Sequence, residues 1–125
     1  MAEQSGPNVK YTGIASGNLN FADPACFRFL KKTGKDVHLC AASGEPVFGV
    51  LANKPLDNEH CSVVVDGFTK ISVGASLGAD ALVMTNNTGF AILCASGFNS
   101  CGRLITGANS GLPGELYFTV AGSGR

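Results

Sequence analysis

The sequence contains few of the side chains that usually carry catalysis, and they do not fall into a catalytic pattern. There are two histidines. His38 lies in a short apolar run, where it takes the outward phase of a strand, and His60 follows a polar turn. A serine nucleophile is often held in a G-x-S-x-G turn, but residues 13–17 and 107–111 each place the serine one position late. We therefore predict no catalytic residue, and we expect that the protein is not an enzyme.

The cysteines do not form a metal-binding pattern either. No C-x-x-C pair occurs, and the spacing between Cys94 and Cys101 matches no common zinc site. His60 and Cys61 are adjacent, so on a strand their side chains point to opposite faces and cannot share a metal ion. An odd number of cysteines without a secretion signal favours free thiols, buried as small apolar residues. A disulfide formed after assembly is the alternative. The cysteines are Cys26, Cys40, Cys61, Cys94 and Cys101.

Sites for phosphate, calcium or nucleic acid are not predicted. Residues 33–35, T-G-K, resemble the end of a phosphate-binding loop, but they lack the upstream glycine and the following helix. Asp57 and Glu59 form a local acidic cluster that supplies too few oxygen ligands for a calcium loop and is typical of a solvated turn. Lys31 and Lys32 are too few to follow a nucleic-acid backbone. We therefore expect no cofactor, no metal and no nucleic-acid partner.

Composition supports the same exclusions. Nine Lys and Arg balance nine Asp and Glu, so the 125-residue chain has a formal net charge of zero, and only 14% of its residues are charged. Binding through phosphates usually needs a basic excess, and disorder needs low hydrophobicity, whereas this chain is 45% hydrophobic. No apolar run approaches the roughly 20 residues of a membrane span, and we expect no signal peptide. So few charges are typical of a surface covered by copies of the chain or by a partner.

The elements that must position these residues are predicted to be short strands. Seventeen glycines separate brief β-branched or aromatic runs, which is typical of a small barrel or sandwich. Residues 115–120 alternate apolar and polar side chains, with Leu116 and Phe118 inward. Asp66 and Gly67 stand between two apolar runs, and this pair indicates either a hairpin or a bulge.

These signals predict an all-β fold, a small barrel or sandwich of short antiparallel strands, as a single domain over residues 12–121. Residues 1–11 are polar, so we expect a flexible N-terminal arm that either orders on a partner or has no role. Residues 122–125 are expected to form a flexible tail. Helix is expected at most as one turn in residues 74–81, because two glycines oppose more.

An internal similarity predicts that the domain contains two related units. Residues 27–34, F-R-F-L-K-K-T-G, are similar to residues 82–89, L-V-M-T-N-N-T-G. The pattern predicts two similar strand-turn-strand-turn-strand units with equivalent framework positions. Further matched pairs are Cys40 with Cys94, Gly49 with Gly102, and Leu51 with Leu104.

Two segments of the chain carry motifs that occur together in a known family. Residues 46–55 read P-V-F-G-V-L-A-N-K-P, which is similar to a G-V-L-x-N-K-P signature. Residues 63–70 read V-V-V-D-G-F-T-K, which is similar to a V-x-V-x-G-x-T-K segment. In these motifs the chain resembles the small capsid cement (decoration) proteins of tailed bacteriophages. The likeness extends over roughly residues 20–120, and the chain departs from it in a longer polar N-terminal arm and in its five cysteines.

The resemblance implies a virion structural protein. Such proteins bind the outside of an expanded capsid as symmetric oligomers and stabilise the joints between capsomers. The resemblance implies the major capsid protein as partner and a homo-oligomer, with a trimer expected first and a dimer as the alternative. It implies no cofactor, no nucleic acid and no membrane. The expected location is the outer capsid surface of the virion, after assembly in the cytoplasm of a bacterial host.

The candidate site is a surface for partner contact, because no catalytic position transfers from the family. We expect the N-terminal arm to contribute Val9 and Tyr11. The loop of Asn53, Lys54 and Pro55 is expected to offer polar contacts on a backbone fixed by the proline. The alternative for this loop is a rigid turn within the barrel.

Other functions stay open on the sequence. The first is a different virion β protein, such as a tail or fibre component. The second is a cellular β-barrel module that binds a sugar or small ligand. Such sites usually use exposed aromatic residues, and the chain has no Trp and only two Tyr. A hydrolase is the third alternative.

Overall fold

The computed structural model describes residues 8–21, 26–45, 47–94 and 102–119, and within these residues the chain forms strands and turns but no helix. Short runs rich in β-branched and aromatic residues form the strands, because such side chains pack well on a pleated surface. No helix in the described residues could cross a membrane. The strands are β1 (Asn8–Ala15), β2 (Phe29–Thr33), β3 (Asp36–Leu39), β4 (Gly49–Leu51), β5 (His60–Ser72), β6 (Leu82–Thr85), β7 (Ala91–Leu93), β8 (Gly102–Thr106) and β9 (Pro113–Thr119).

The first five strands close into a small ring. β1 pairs with β3, β3 with β2, β2 with β4 and β4 with β5, and the ring closes because β5 also pairs with β1. Closure protects strand edges that would otherwise be open to other chains. The predicted all-β, barrel-like fold is therefore confirmed. One detail was wrong, since β1 and β3 run parallel, with Ile14 opposite Asp36.

The long strand β5 also belongs to a second, similar ring. Its later residues pair with β9, and the sheet continues from β9 to β8, β6 and β7. A parallel bridge between Val73 and Ala91 returns β7 to the end of β5. We call β1 to the first half of β5 the first unit, and the second half of β5 to β9 the second unit.

The Asp66–Gly67 pair lies inside one continuous strand, next to a bulge at Val65, and not in a hairpin. β5 extends for 13 residues without interruption. Its pairing with β1 shifts after Val9, which lies opposite Asp66, so that the next residue lies opposite Val64. Gly67 has a φ of 109°, which a residue with a side chain rarely adopts. Because the chain continues past this point, β5 is long enough to serve both units.

The strand registers confirm the two related units. In the first unit Leu51 lies opposite Val63, and in the second unit Leu104 lies opposite Leu116. The order β3-β2-β4-β5 corresponds to the order β7-β6-β8-β9. The parallel contact between β1 and β3 corresponds to the parallel bridge between the end of β5 and β7. The sequence similarity therefore reflects a repeated pairing scheme.

The registers also shift the first segment of the sequence alignment by two residues. The sequence similarity matched Phe27 with Leu82. The equivalent of Leu82 is Phe29, because Phe29 pairs with Val50 on β4 and Leu82 pairs with Arg103 on β8. The repeated Thr-Gly pair was misleading, since it stands at a different place in each turn and the turn of the second unit is longer by one residue.

Two glycines at equivalent positions are required by a close approach between strands. A side chain at Gly49 would come within 2.6 Å of the carbonyl oxygen of Val64. A side chain at Gly102 would collide with the carbonyl oxygen of Tyr117. Each glycine begins a strand that lies against its neighbour, so the match between these glycines reflects one packing constraint used twice.

The two units bury two groups of apolar side chains. The outward row of the first unit, made by Phe29, Val50 and Val64, is fully buried because it packs into the second group. The units therefore lie against each other like the layers of a sandwich. The first group includes Ala15, Leu30, Val37, Leu51, Cys61 and Val63, and the second includes Ile71, Val73, Val83, Ala91, Leu104 and Leu116.

The sheet begins earlier than the predicted domain boundary. Asn8 through Tyr11 are strand residues paired with β5, and Asn8 Nδ2 donates to the carbonyl oxygen of Phe68 at 2.9 Å. These four residues belong to the domain and not to a flexible arm, because their backbone is held in a sheet. Residues 1–7 and 120–125, which include most of the predicted arm and the tail, lie outside the described residues.

Candidate functional site

The predicted contact loop after β4 is held from within the domain. Asn53 Nδ2 donates to the carbonyl oxygen of His60 at 3.2 Å, and Asn53 Oδ1 accepts from the N–H of Ser62 at 3.0 Å. Pro55 is buried, and its carbonyl oxygen accepts from the N–H of Leu19 at 3.0 Å. Asn53 and Pro55 therefore hold the backbone of this turn in place, which agrees with the alternative of a rigid turn within the barrel.

Lys54 extends from the same turn as an exposed side chain. The acidic residues that follow also serve the turn. Asp57 Oδ1 accepts from the N–H of Gly17 at 2.8 Å, and Glu59 Oε1 accepts from the N–H of Leu56 at 2.8 Å. Both carboxylates are used as acceptors for turn backbone. The loop thus presents a fixed backbone from which Lys54 projects.

Val9 and Tyr11 share β1 but contact different neighbours. Tyr11 packs edge-on against the ring of Phe48, with centroids 5.1 Å apart. Lys32 Nζ lies 5.9 Å from the centre of the Tyr11 ring and 5.5 Å from that of Phe48. Val9 lies beyond this group and is 58% exposed. The five predicted contact residues therefore occupy three places: the loop after β4, the Tyr11 ring pair and the end of β1.

An ion pair lies beside the Tyr11 ring pair. Lys31 Nζ is 3.5 Å from Glu45 Oε1, and Glu45 Oε2 accepts from the N–H groups of Ala41 and Ala42 at 2.6 and 2.9 Å. Partial burial acts to raise the pKa of Glu45. The N–H donors of Ala42 and Ala41, together with the Lys31 ammonium, outweigh it, so that the pKa lies below its usual value. The carboxylate is therefore committed to capping the loop after β3.

A shallow depression of about 280 Å³ lies where β1, β5 and β9 meet. Val9, Asp66, Phe68 and Tyr117 contribute to its walls. The rings of Phe68 and Tyr117 pack with centroids 5.2 Å apart, and Tyr117 is 44% exposed. Small-molecule pockets are usually deeper and enclose most of their ligand. This open apolar surface, with a carboxylate at its edge, is better suited to contact with another protein.

The cysteines in the described residues form no disulfide. Burial raises the pKa of Cys40 to about 12, and the Glu45 carboxylate acts in the same direction. Burial also raises the pKa of Cys61 to about 11. Both thiols are protonated at neutral pH and are therefore weak nucleophiles. The prediction of buried cysteines outside disulfides is confirmed for the buried members. Those members are Cys26, Cys40 and Cys61, whereas Cys94 is half-buried and Cys101 lies outside the described residues.

The histidines and serines are placed apart from any recognisable catalytic geometry in the described residues. His38 on β3 is half-buried, and His60 on β5 is exposed. A run that fits G-x-S-x-G, and that the prediction missed, spans residues 74–78. Its Ser76 lies in an exposed loop, with Oγ 3.4 Å from Oδ1 of Asn109. A nucleophile elbow joins a strand to a helix, and no helix follows Ser76 in the part of the chain that the structure describes. Within that part, no group of metal-ligating side chains lies together.

A contact that the sequence did not reveal joins the two units. The guanidinium carbon of Arg28 lies 3.9 Å from the centre of the Phe21 ring and 4.2 Å from that of Phe90. Arg28 Nη1 also donates to the carbonyl oxygen of Thr88 at 3.2 Å. Burial lowers the pKa of Arg28, which still carries its charge at neutral pH. The two aromatic residues are far apart in the chain, so no local pattern could have indicated this stack.

Comparisons with known proteins identify the fold. No family model matches the sequence, and no curated protein matches it. The chain is similar in structure to the N base of head fiber gp8.5 of bacteriophage phi29, with a TM-score of 0.68. The match covers 90% of this chain and 94% of that chain, at 15% sequence identity. At so low an identity the likeness establishes a shared fold.

Proposed function

We propose that this protein is a structural component of a tailed-phage virion that binds the outer surface of the head through its β domain, without catalysis and without a cofactor. The observation that supports this proposal is the fold, which is shared over 90% of the chain with the base of a phage head fiber. The sequence motifs point to phage particles independently, since residues 46–55 and 63–70 resemble segments of capsid cement proteins.

Within this role we propose capsid cement, an oligomer that sits over capsomer joints and stabilises the expanded shell. The G-V-L-A-N-K-P run of residues 49–55 forms β4 and the turn that Asn53 and Pro55 hold in place. The motif therefore consists largely of residues that determine the fold. It supports a fold in common with cement proteins, and it directs the search for contact residues to exposed neighbours such as Lys54 and Val9.

The surface chemistry suits a protein lattice. A chain with no net charge meets no long-range repulsion from a protein shell or from its own copies. An oligomer that presents several identical contacts to a symmetric shell gains through multivalency, so that each contact can be individually weak. The major capsid protein is therefore the partner that we propose.

The fold comparison also favours a second candidate, the base of a head fibre. A cement protein and a fibre base would both bind the shell. They differ in number and in consequence, because cement must occupy most equivalent joints to strengthen the particle, whereas a fibre base can be present in fewer copies. Copy number and shell stability therefore separate the two.

The test is co-sedimentation of the purified protein with expanded capsid shells that lack it. Bound copies are counted against the major capsid protein by quantitative gel electrophoresis. We expect saturable binding at a fixed ratio, together with an increase in the temperature at which the shells disrupt. Saturation at a low ratio without added shell stability would favour the fibre base.

A folded protein that does not bind the shells would contradict both candidates. Folding is checked by circular dichroism in the same buffer, so that a negative result cannot come from unfolded material. A Lys54→Ala variant tests the predicted loop contact, and its binding to shells is compared with that of the wild type. The substitution changes an exposed position in the loop without touching the hydrogen bonds of Asn53.

A further inference from the structure

A row of side chains on the outer side of the second unit lies open to solvent. The strand registers place Phe68, Tyr117, Arg103 and Leu82 side by side across β5, β9, β8 and β6. We call these four residues the exposed row. Tyr117 is 44% exposed and Leu82 is 43% exposed, while Phe68 is half-buried. Exposed apolar side chains that lie together mark an interaction surface more often than scattered ones do.

The duplicated fold shows what the same row does in the first unit. The residues equivalent to Tyr117, Arg103 and Leu82 are Val64, Val50 and Phe29 by register. All three are 0% exposed, because the second unit packs over them. In the first unit, this side of the sheet is therefore an interface with a unit of the same fold. The exposed row is the same side of the sheet without its cover.

Charged residues beside the exposed row can pair with those of a second copy of the chain. Asp66 lies on the β5 side of the Phe68 and Tyr117 rings, and Arg103 lies on the β8 side. Two strand spacings, about 10 Å, separate these strands. A twofold axis through the ring pair of two apposed copies would bring Asp66 of each copy to Arg103 of the other. Such an interface is isologous, with the same patch on both subunits.

We propose that a second copy of this chain docks on the exposed row and forms a twofold dimer centred on Phe68 and Tyr117. Val9 extends the apolar contact along the depression that these rings line. The aromatic centre supplies the apolar burial, and the two Asp66–Arg103 pairs set the orientation. The dimer builds on the oligomer of the proposed function and specifies a dimer in place of the trimer expected first, but it does not depend on capsid binding.

The first test measures association of the full chain by sedimentation velocity over a series of concentrations, in the absence of shells. We expect a monomer–dimer equilibrium for the wild type. Tyr117→Glu should weaken it by about 100-fold, because it places a charge in the apolar centre. Leu56→Glu is the matched control, since Leu56 is similarly exposed (46%) but lies in the turn before β5. The control should leave the dimer unchanged, and circular dichroism confirms that each variant is folded.

The second test reverses the charges. Asp66→Arg and Arg103→Asp should each weaken the dimer by about tenfold, since each places like charges opposite one another. An equimolar mixture of the two variants should restore association to within about threefold of the wild type, because every contact in a mixed dimer again joins opposite charges. Restoration by mixing is a result that a merely destabilised fold would not give.

Three outcomes would overturn the dimer: a wild type that stays monomeric, a trimer, or a dimer that Tyr117→Glu does not weaken. If the wild type is monomeric and Tyr117→Glu abolishes binding to shells, the exposed row belongs to the capsid contact, which contradicts the dimer and supports the proposed function. If the wild type forms the dimer but does not bind shells, the dimer is supported and the proposed function is contradicted. Failure of one proposal can therefore be told from failure of the other.

Discussion

The side chain of Asn53 uses both of its polar ends on backbone groups of β5. We therefore predict that Asn53→Ala lowers the free energy of unfolding by about 1 to 2 kcal/mol, because two hydrogen bonds are lost. Lys54→Ala, at the next position, should change it by less than about 0.5 kcal/mol. Urea denaturation followed by circular dichroism measures both. Equal stabilities for the two variants would show that Asn53 does not hold the turn in solution.

Thiol titration provides a second prediction at the residue scale. Because burial raises the pKa of Cys40 to about 12, the folded protein keeps this proton where an unfolded chain, with a thiol pKa near 9.0, loses it. The unfolded state then binds fewer protons, so the stabilising contribution is complete below pH 9 and is lost as pH rises toward 12. We expect Cys40 to contribute a fall of at most ~1.4 kcal/mol per pH unit in this window.

The measurement for Cys40 compares the pH dependence of unfolding in the wild type and in Cys40→Ala. Below pH 9 the variant should be less stable than the wild type, because it leaves a small cavity. Its free energy of unfolding should fall less steeply above pH 9 than that of the wild type. Parallel curves would mean that the thiol of Cys40 titrates alike in the folded and unfolded states.

At the scale of strands, local alternation predicted some elements, and only pairing explains others. Leu116 and Phe118 were predicted to point inward from their alternation, and both are fully buried in β9. Residues 8–12 alternate as well, with Val9 and Tyr11 between polar residues, but the pairing with β5 that makes them part of the sheet has no signature within the segment. The parallel contact of β1 with β3 likewise has no signature within either segment.

Equivalent strand positions in the two units should respond differently to the same change. Phe29 on β2 is fully buried between the units, whereas its equivalent Leu82 on β6 is 43% exposed. We predict that Phe29→Ala lowers the free energy of unfolding by about 3 to 5 kcal/mol, as for a buried aromatic residue. Leu82→Ala should cost less than about 1 kcal/mol when measured at low protein concentration, where no dimer covers it.

Urea denaturation of both variants checks the relation between the units. Because β5 runs through both rings and the first unit buries its outer row in the second, Phe29→Ala should still unfold in one transition. Two separate transitions would show that the units fold independently. If Phe29→Ala and Leu82→Ala lowered the free energy of unfolding equally, the side of the sheet that bears Leu82 would be as buried as the side that bears Phe29. That result would contradict the exposed row.

At the scale of the whole molecule, composition and repetition predicted the class of fold, and remote pairing decided the candidate surface. Seventeen glycines between apolar runs indicated an all-β chain, and the repeated segments indicated two units. The exposed row draws Phe68, Tyr117, Arg103 and Leu82 from four strands that are distant in sequence. Their alignment depends on the registers of β5 with β9, of β9 with β8 and of β8 with β6, which sequence spacing does not reveal.

The same dependence on pairing decides how the N-terminus must be tested. Removing residues 1–7 leaves β1 complete, so we expect the free energy of unfolding to change by less than about 0.5 kcal/mol. Removing residues 1–11 also deletes four paired positions of β1 and the contact of Tyr11 with Phe48, which shortens the pairing between β1 and β5 that closes the first unit. We predict a loss on the order of 3 kcal/mol or more for the longer deletion.

Urea denaturation of both deletions comes before any binding assay, because weaker shell attachment of the longer deletion would report a damaged barrel and not a lost contact. The shorter deletion isolates the arm: reduced occupancy on shells at unchanged stability would show that residues 1–7 contribute to attachment. If the two deletions were equally stable, the pairing of Asn8 through Tyr11 with β5 would not contribute to stability in solution. The prediction of a flexible arm over residues 1–11 would then hold.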